Sequence, residues 1–321
     1  MDAVPSAGRR STVWGSEGGK VSPVLAIGGG KGGIGKSFLA ANLGVALAEM
    51  GKEVILVDVD LGGANLHTFF GISYPEKSLD HLLRKEARKM EDLLLETQIP
   101  HLRIVSGVLR HLSASNIKHY QKQKLLRHIR SLKADYVILD LGGGSSSHVL
   151  DFFIAADEGL LLITPESTSL ENAYRFMRAA FFRQFRQAVT LPEARRIITL
   201  AMNHLDPALK TPYQLLEKVR ELDGRIEERL TESLRHLRPL LVINQVRSRE
   251  EARLGFSVKS VCQRYFGIDF HFLGYIYYDP KVFYSIQRGR PFLHEYPDTE
   301  TALCFREISQ RLLIRREVEL I

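Results

Sequence analysis

GGGKGGIGKSFLAANLG, Gly28 to Gly44, is the stretch on which the fold turns. Gly30-x-x-x-x-Gly35-Lys36-Ser37 has the spacing of a phosphate-binding loop. It follows a short apolar run, VLAI (Val24–Ile27), and opens a helical pattern, KSFLAANLGVALAEM, from Lys36 to Met50. Glycines let consecutive backbone N–H groups turn toward phosphate oxygens, and the N-terminus of the following helix adds partial positive charge. Lys36 is placed to neutralise the β- and γ-phosphates of a nucleoside triphosphate, and the Ser37 hydroxyl to join a Mg2+ shell. Lys31 is a second cation, among the glycines, that an ordinary phosphate loop does not need.

Short aliphatic runs recur on either side of this loop. VILVDV (Val54–Val59), YVILDL (Tyr136–Leu141), GLLLIT (Gly159–Thr164), LLVIN (Leu240–Asn244) and FLGYIYY (Phe272–Tyr278) read as buried strands. Helical patterns such as SLENAYRFMRAAFFRQF (Ser169–Phe185) separate them. Near-continuous apolar strands alternating with helices predict an α/β fold: a doubly wound, mostly parallel sheet covered on both faces. Ligands of such sheets sit at the carboxyl ends of the strands, where the chemistry-bearing residues of this chain collect. Asp58 and Asp60 close one strand, Asp140 another and Asn244 a third. Two carboxylates spaced two apart share a face of extended chain and repel each other unless a cation lies between them. Mg2+ makes chemical sense of the pair.

The fuller form of the loop, Lys31-Gly-Gly-Ile-Gly-Lys36-Ser37, resembles the deviant Walker A motif of the MinD/ParA family of ATPases. DLGGANLH, DFF and ENAYRF look closest to the MinD-like branch that includes the flagellar-number regulator FlhG, and the similarity runs through most of the chain from about Val21. The resemblance implies a P-loop fold, ATP and Mg2+ as cofactors, and slow, partner-stimulated hydrolysis. It implies nucleotide binding by Gly30, Lys31, Gly32, Gly33, Ile34, Gly35, Lys36, Ser37 and Phe38. Lys31 matches the signature lysine that crosses a dimer interface to the partner subunit's phosphates, so an ATP-dependent homodimer is expected. Asp60 matches the residue that positions the attacking water, and with Lys31 and Lys36 it makes up the expected catalytic set. Ser37, Asp58 and Asp140 are the expected metal-site residues, the two carboxylates acting through bound water. Asn244 matches an adenine-recognising asparagine; a turn-forming Asn after a strand is the competing reading. An activating or cargo protein is an expected partner, with nonspecific DNA or an anionic membrane surface as further surfaces. One departure stands out: the family has a proline shortly after the acid matched by Asp140, whereas this chain has Gly142-Gly143-Gly144-Ser145-Ser146-Ser147.

The 321 residues are 45% hydrophobic and 25% charged, with a formal net charge of +7, which permits contact with polyanions without demanding it. The two cysteines, Cys262 and Cys304, exclude a CxxC metal or cluster site and fit a reducing cytosol, so a cytoplasmic protein is expected, with peripheral recruitment to inner membrane or nucleoid allowed. Residues 1–21 read as a loose tail and 22–321 as the ATPase domain, with a polar, helical insertion at about 187–238. Between Leu109 and Lys133 lie Arg110, Lys118, Lys122, Lys124, Arg127, Arg130 and Lys133 and no acid; a core-packed helix with a basic outer side is favoured over a nucleic-acid or lipid footprint. Phe176, Phe181, Phe182 and Phe185 interleave with arginines and read as core, a protein interface being the second choice. The terminal helix, with Phe305, Ile308, Leu312 and Leu313 at helical spacing, also reads as core and not as a membrane anchor. The expected role is an ATP-driven switch that positions a flagellum, division site or partitioned cargo; a nucleotide-binding scaffold with little hydrolysis is the alternative. A metal-cluster carrier is opposed by the missing CxxC, and a tyrosine kinase by the absence of tyrosine after Tyr296.

Overall fold

The computed structural model describes residues 22–109, 117–189, 191–202, 211–222, 239–267 and 269–320. In chain order the strands are β1 (Val24–Gly28), β2 (Val54–Asp58), β3 (Leu95–Glu96), β4 (Leu102–Val105), β5 (Tyr136–Asp140), β6 (Glu158–Ile163), β7 (Leu240–Val246) and β8 (His271–Tyr277). The described helices are α1 (Lys36–Glu49), α2 (Leu79–Leu83), α3 (His119–Ser131), α4 (Ser147–Ala155), α5 (Ser167–Ala188), α6 (Pro192–Met202), α7 (Pro212–Leu222), α8 (Arg249–Phe266), α9 (Lys281–Gln287), α10 (Phe292–Glu295) and α11 (Glu300–Leu320). The strands form one eight-stranded sheet in the order β3-β4-β2-β5-β1-β6-β7-β8. Every pairing is parallel except β3 with β4. The doubly wound sheet expected from the apolar runs is the one observed.

Strand alternation explains why those runs carry so few polar residues. Val24, Ala26, Ile55, Val57, Val137 and Leu139 point into a core shared with α3, α4, α5 and α8. Their neighbours Leu25, Ile27, Val54, Leu56, Tyr136 and Ile138 point into a second core under α1, α10 and α11. A strand covered on both sides has no solvent face to mark with charge. Phe305, Ile308 and Leu312 are at most 1% exposed, so α11 is packed in the second core as expected. Asn42, fully buried on α1, ties this layer together: its Oδ1 accepts from Leu293 N at 2.8 Å, and its Nδ2 donates to Phe38 O at 2.9 Å.

The expected tail, Arg110 and parts of the expected insertion (190, 203–210 and 223–238) lie outside the described residues. The described part of that stretch is helical: α5 runs to Ala188, and α6 and α7 follow, with Ala194, Ile198, Ala201, Leu215 and Val219 buried. Among the described residues, no helix is long and apolar enough to cross a membrane.

Candidate nucleotide site

The phosphate loop joins the end of β1 to α1 at the centre of the sheet. Gly35 begins the helix from the left-handed region, φ 95°. Its position is fixed by Asn244, in the carboxyl-terminal half of β7, whose Nδ2 donates to Ile34 O at 2.8 Å. A Cβ on Gly35 would lie 2.4 Å from that nitrogen, so Asn244 and a side-chain-free residue 35 require each other. Gly30 is held from the other side, where a Cβ would fall 1.9 Å from the Asn172 carbonyl oxygen of α5. Around Gly32 and Gly33 an added methyl would meet nothing within 4 Å, which leaves the middle of the loop open to a ligand. Lys36 is 7% exposed and its Nζ donates to Lys31 O at 3.2 Å, closing the loop on itself. Phe38 turns away from the loop and stacks edge-on against Phe292 and Phe305, so only its backbone faces the site.

Three carboxylates gather beside Lys36. Asp58 and Asp140 pair directly across β2 and β5 and are at most 1% exposed. Asp58 has a task that its sequence position did not reveal. Its Oδ1 accepts from Asp60 N and its Oδ2 from Leu66 N, both at 3.0 Å, so one side chain pins both ends of the 60–66 loop. Asp140 is different: both oxygens are buried without a hydrogen-bond partner of normal geometry. Burial pushes its carboxyl up to about 7, against the opposing pull of the nearby Ser37 hydroxyl and the Lys36 charge. Burial, and then the Asp140 charge, also hold the Asp58 carboxyl well above the usual range. Burial lowers Lys36 although Asp140 and Asp60 favour its charged form. The site is short of positive charge, and it holds orphaned acceptors next to a serine hydroxyl. Those features fit a hydrated divalent cation.

Asp60 is half-buried, with Oδ1 accepting from Gly62 N at 3.3 Å. Gly142, just after β5, lies against it, and the next residue, Gly143, lies against Gly32. The unusual glycine run therefore brings the loop after Asp140 into contact with both Asp60 and the phosphate loop. Ser146 ends that loop by accepting from Val149 N as the cap of α4. Lys31 stands apart from this cluster. Its side chain is 45% exposed and its Nζ lies 3.5 Å from Glu166 Oε2, the residue before α5. Lys31, Lys36, Asp58, Asp60, Asp140 and Asn244 thus belong to one region, with Asn244 beneath the loop and Lys31 at its rim. Glu166, 135 positions away in sequence, is a partner for Lys31 that only the fold supplies.

The aromatic stretch and the inward side of the basic one resolve as packing. Lys122 pairs with Asp151, which also takes two bonds from Arg183, joining α3, α4 and α5 in one buried ion cluster. Arg130 pairs with Asp157, and Lys124 Nζ donates to Leu82 O at 2.8 Å. Phe176, Phe181, Phe182 and Phe185 are at most 3% exposed, which removes the alternative of an aromatic interface; Arg178 stacks on Phe182 and donates to the Ala201 carbonyl ending α6.

The CobQ/CobB/MinD/ParA nucleotide binding domain matches residues 25–292. The antiactivator FleN of Pseudomonas aeruginosa is 25% identical over 292 residues, covering 90% of this chain and 85% of FleN. The septum site-determining protein MinD of Synechocystis is 29% identical over 197 residues, 60% of this chain and 68% of that protein. Among solved structures, MinD of Pyrococcus horikoshii complexed with Mg-ADP superposes with a TM-score of 0.60 at 21% identity, covering 91% of this chain and 96% of that one. Sheet, loop and matched span agree, and the chain belongs to the MinD/ParA family of nucleotide-binding domains.

Proposed function

We propose that this protein is an ATP- and Mg2+-dependent dimerisation switch that hydrolyses ATP slowly, in response to a partner protein, and marks the place of a cellular structure such as a flagellum or division site. The observation that carries the reading is the division of labour between the two lysines. Lys36 is buried under its own loop, whereas the Lys31 side chain is 45% exposed and, among the described residues, is tethered by an exposed ion pair alone. Such a pair contributes about 0–1 kcal/mol and is readily exchanged for a more strongly charged partner, here a second subunit's phosphates. Within one chain, Lys36 and the open amides of the loop hold the phosphates. Ser37, and Asp140 through bound water, would hold the cation, which would supply positive charge to the phosphates. Asp60, steadied by Gly62 N, orients the attacking water, and positioning of this kind is most of what phosphoryl transfer asks of a protein. The names of FleN and MinD, an antiactivator and a septum site-determining protein, support a positioning or regulatory role.

Paired variants test this. Lys36→Ala is expected to abolish binding of a fluorescent ATP analogue, and Lys31→Ala to keep it while losing ATP-induced association in light scattering. An unchanged ATP-induced dimer in Lys31→Ala refutes the reading.

A further inference from the structure

With Lys122 and Arg130 turned inward, the outer side of α3 carries a different set of residues. Tyr120, Lys124, Arg127, His128 and Ser131 recur at helical spacing and form one stripe. Tyr120 is 64% exposed. The lower part of the stripe faces the turn at 89–91 across a groove of about 620 Å³ lined by Lys89, Glu91, Lys124, Arg127, His128 and Ser131. Among the described residues neither Lys89 nor Arg127 has an ion-pair partner. The acids facing this groove are Glu91 and, beside it, Asp92, whose carboxylate accepts from the Lys89 backbone at 3.1 Å. His128 feels the excess of cations: burial first, then Lys124 and Arg127, hold its imidazole below the usual range against the pull of Glu91. α3 leads into the start of β5, so its last turns lie toward the amino ends of the strands, the opposite end from the phosphate loop. No part of the nucleotide site uses these side chains.

We propose that this groove binds the phosphodiester backbone of single-stranded nucleic acid, with a base stacked on Tyr120. Three cations, Lys89, Lys124 and Arg127, beside one exposed ring suit that polymer, since phosphates take the cations and an unpaired base covers the ring. A membrane surface rewards several apolar side chains, and none of the six residues lining this groove is apolar. An acidic peptide would leave the ring without a planar partner. By helical rise the stripe is about 16 Å long, room for roughly two to three nucleotides.

Fluorescence anisotropy of the full-length protein with labelled single-stranded DNA of about 20 nucleotides tests this. Neutralising three phosphates predicts that raising salt from about 50 to 200 mM weakens binding by roughly 20-fold. In Lys89→Gln/Arg127→Gln, one phosphate contact remains and the same change should weaken binding by only about 2.5-fold. Tyr120→Ala should lose at least about fivefold in affinity, with rescue by Tyr120→Phe. Nucleic acid should also raise the NMR-measured pKa of His128. All three variants should retain wild-type helicity and ATP turnover in the absence of DNA. Wild-type affinity in the double variant overturns the proposal, as does DNA binding that ignores salt. Binding of phosphatidylglycerol vesicles or polyglutamate, but not DNA, through Lys89 and Arg127 overturns it in favour of a membrane or an acidic protein.

Discussion

Adding one methyl group at Gly142 should slow hydrolysis without weakening nucleotide binding. A Cβ at this position would stand 2.9 Å from Asp60 Oδ1 and 3.1 Å from its Cγ, where ordinary contact begins near 3.4 Å. Gly142 is not among the residues with positive φ, so alanine brings no backbone strain of its own. The Asp60 side chain must therefore yield by about half an ångström. A displacement of 1 Å in a positioning group costs about 100-fold in rate, so half of that predicts a fall in kcat of about tenfold for Gly142→Ala. The Asp60 carboxylate belongs to the reaction and not to the phosphate cradle, so affinity for a fluorescent ATP analogue should stay within about twofold. Phosphate release at saturating ATP and Mg2+, with whatever partner stimulates turnover, reads the rate. Gly144→Ala is the control, because that residue has φ 80° and its added methyl would meet nothing within 4 Å. It should lose about 1–2 kcal/mol of stability through backbone strain while sparing Asp60. Wild-type turnover in Gly142→Ala, or a loss of affinity that matches its loss of rate, refutes the assignment of Asp60.

Asn244→Ala removes the bond to the Ile34 carbonyl and leaves a buried acceptor unpaired, which costs about 1–3 kcal/mol and should lower the thermal midpoint. If Asn244 also reads adenine, the same variant narrows the affinity ratio of ATP to GTP; a preserved ratio assigns it to loop support alone. Asp151→Ala leaves Lys122 and Arg183 beside each other without their carboxylate and should cost about 3–5 kcal/mol in chemical denaturation, a loss under 1 kcal/mol counting against the buried cluster. Burial alone would raise the Asp151 carboxyl, but the bonds and charges of Arg183 and Lys122 outweigh it and hold it below its ordinary value. Its stabilising contribution is thus complete above the unfolded pKa, near 4, and is lost as pH falls through the lower folded value; acid unfolding should begin at higher pH in Asp151→Asn.

The sheet was legible because its strands are covered on both faces. Five apolar runs plus VLAI located six of the eight strands, and boundaries moved by about one residue except on β7, which continues to Val246. The two others escaped for a physical reason. β4 is only LRIV, with a half-exposed Arg103, and β3 is two residues at the sheet edge; neither carries a long apolar run. In the site, glycine spacing and strand-end acids pointed to residues that the fold brings into one region. What spacing could not give is which atoms are already engaged. Asp58 and Asp140 look alike in sequence, yet one is spent on backbone amides and the other has both oxygens orphaned. The charge run on α3 was legible as a core-packed helix with a basic outer side, but not which of its cations are neutralised, since Asp151 and Asp157 come from the next helix and the turn that follows it.

The two-lysine account meets its most direct test in the solution mass of Asp60→Ala, loaded with ATP and Mg2+, measured by light scattering with and without Lys31→Ala. The account predicts twice the mass of one chain for Asp60→Ala with ATP, a single chain with ADP, and a single chain with either nucleotide once Lys31 is removed. A single chain throughout, or a dimer indifferent to Lys31, would contradict it.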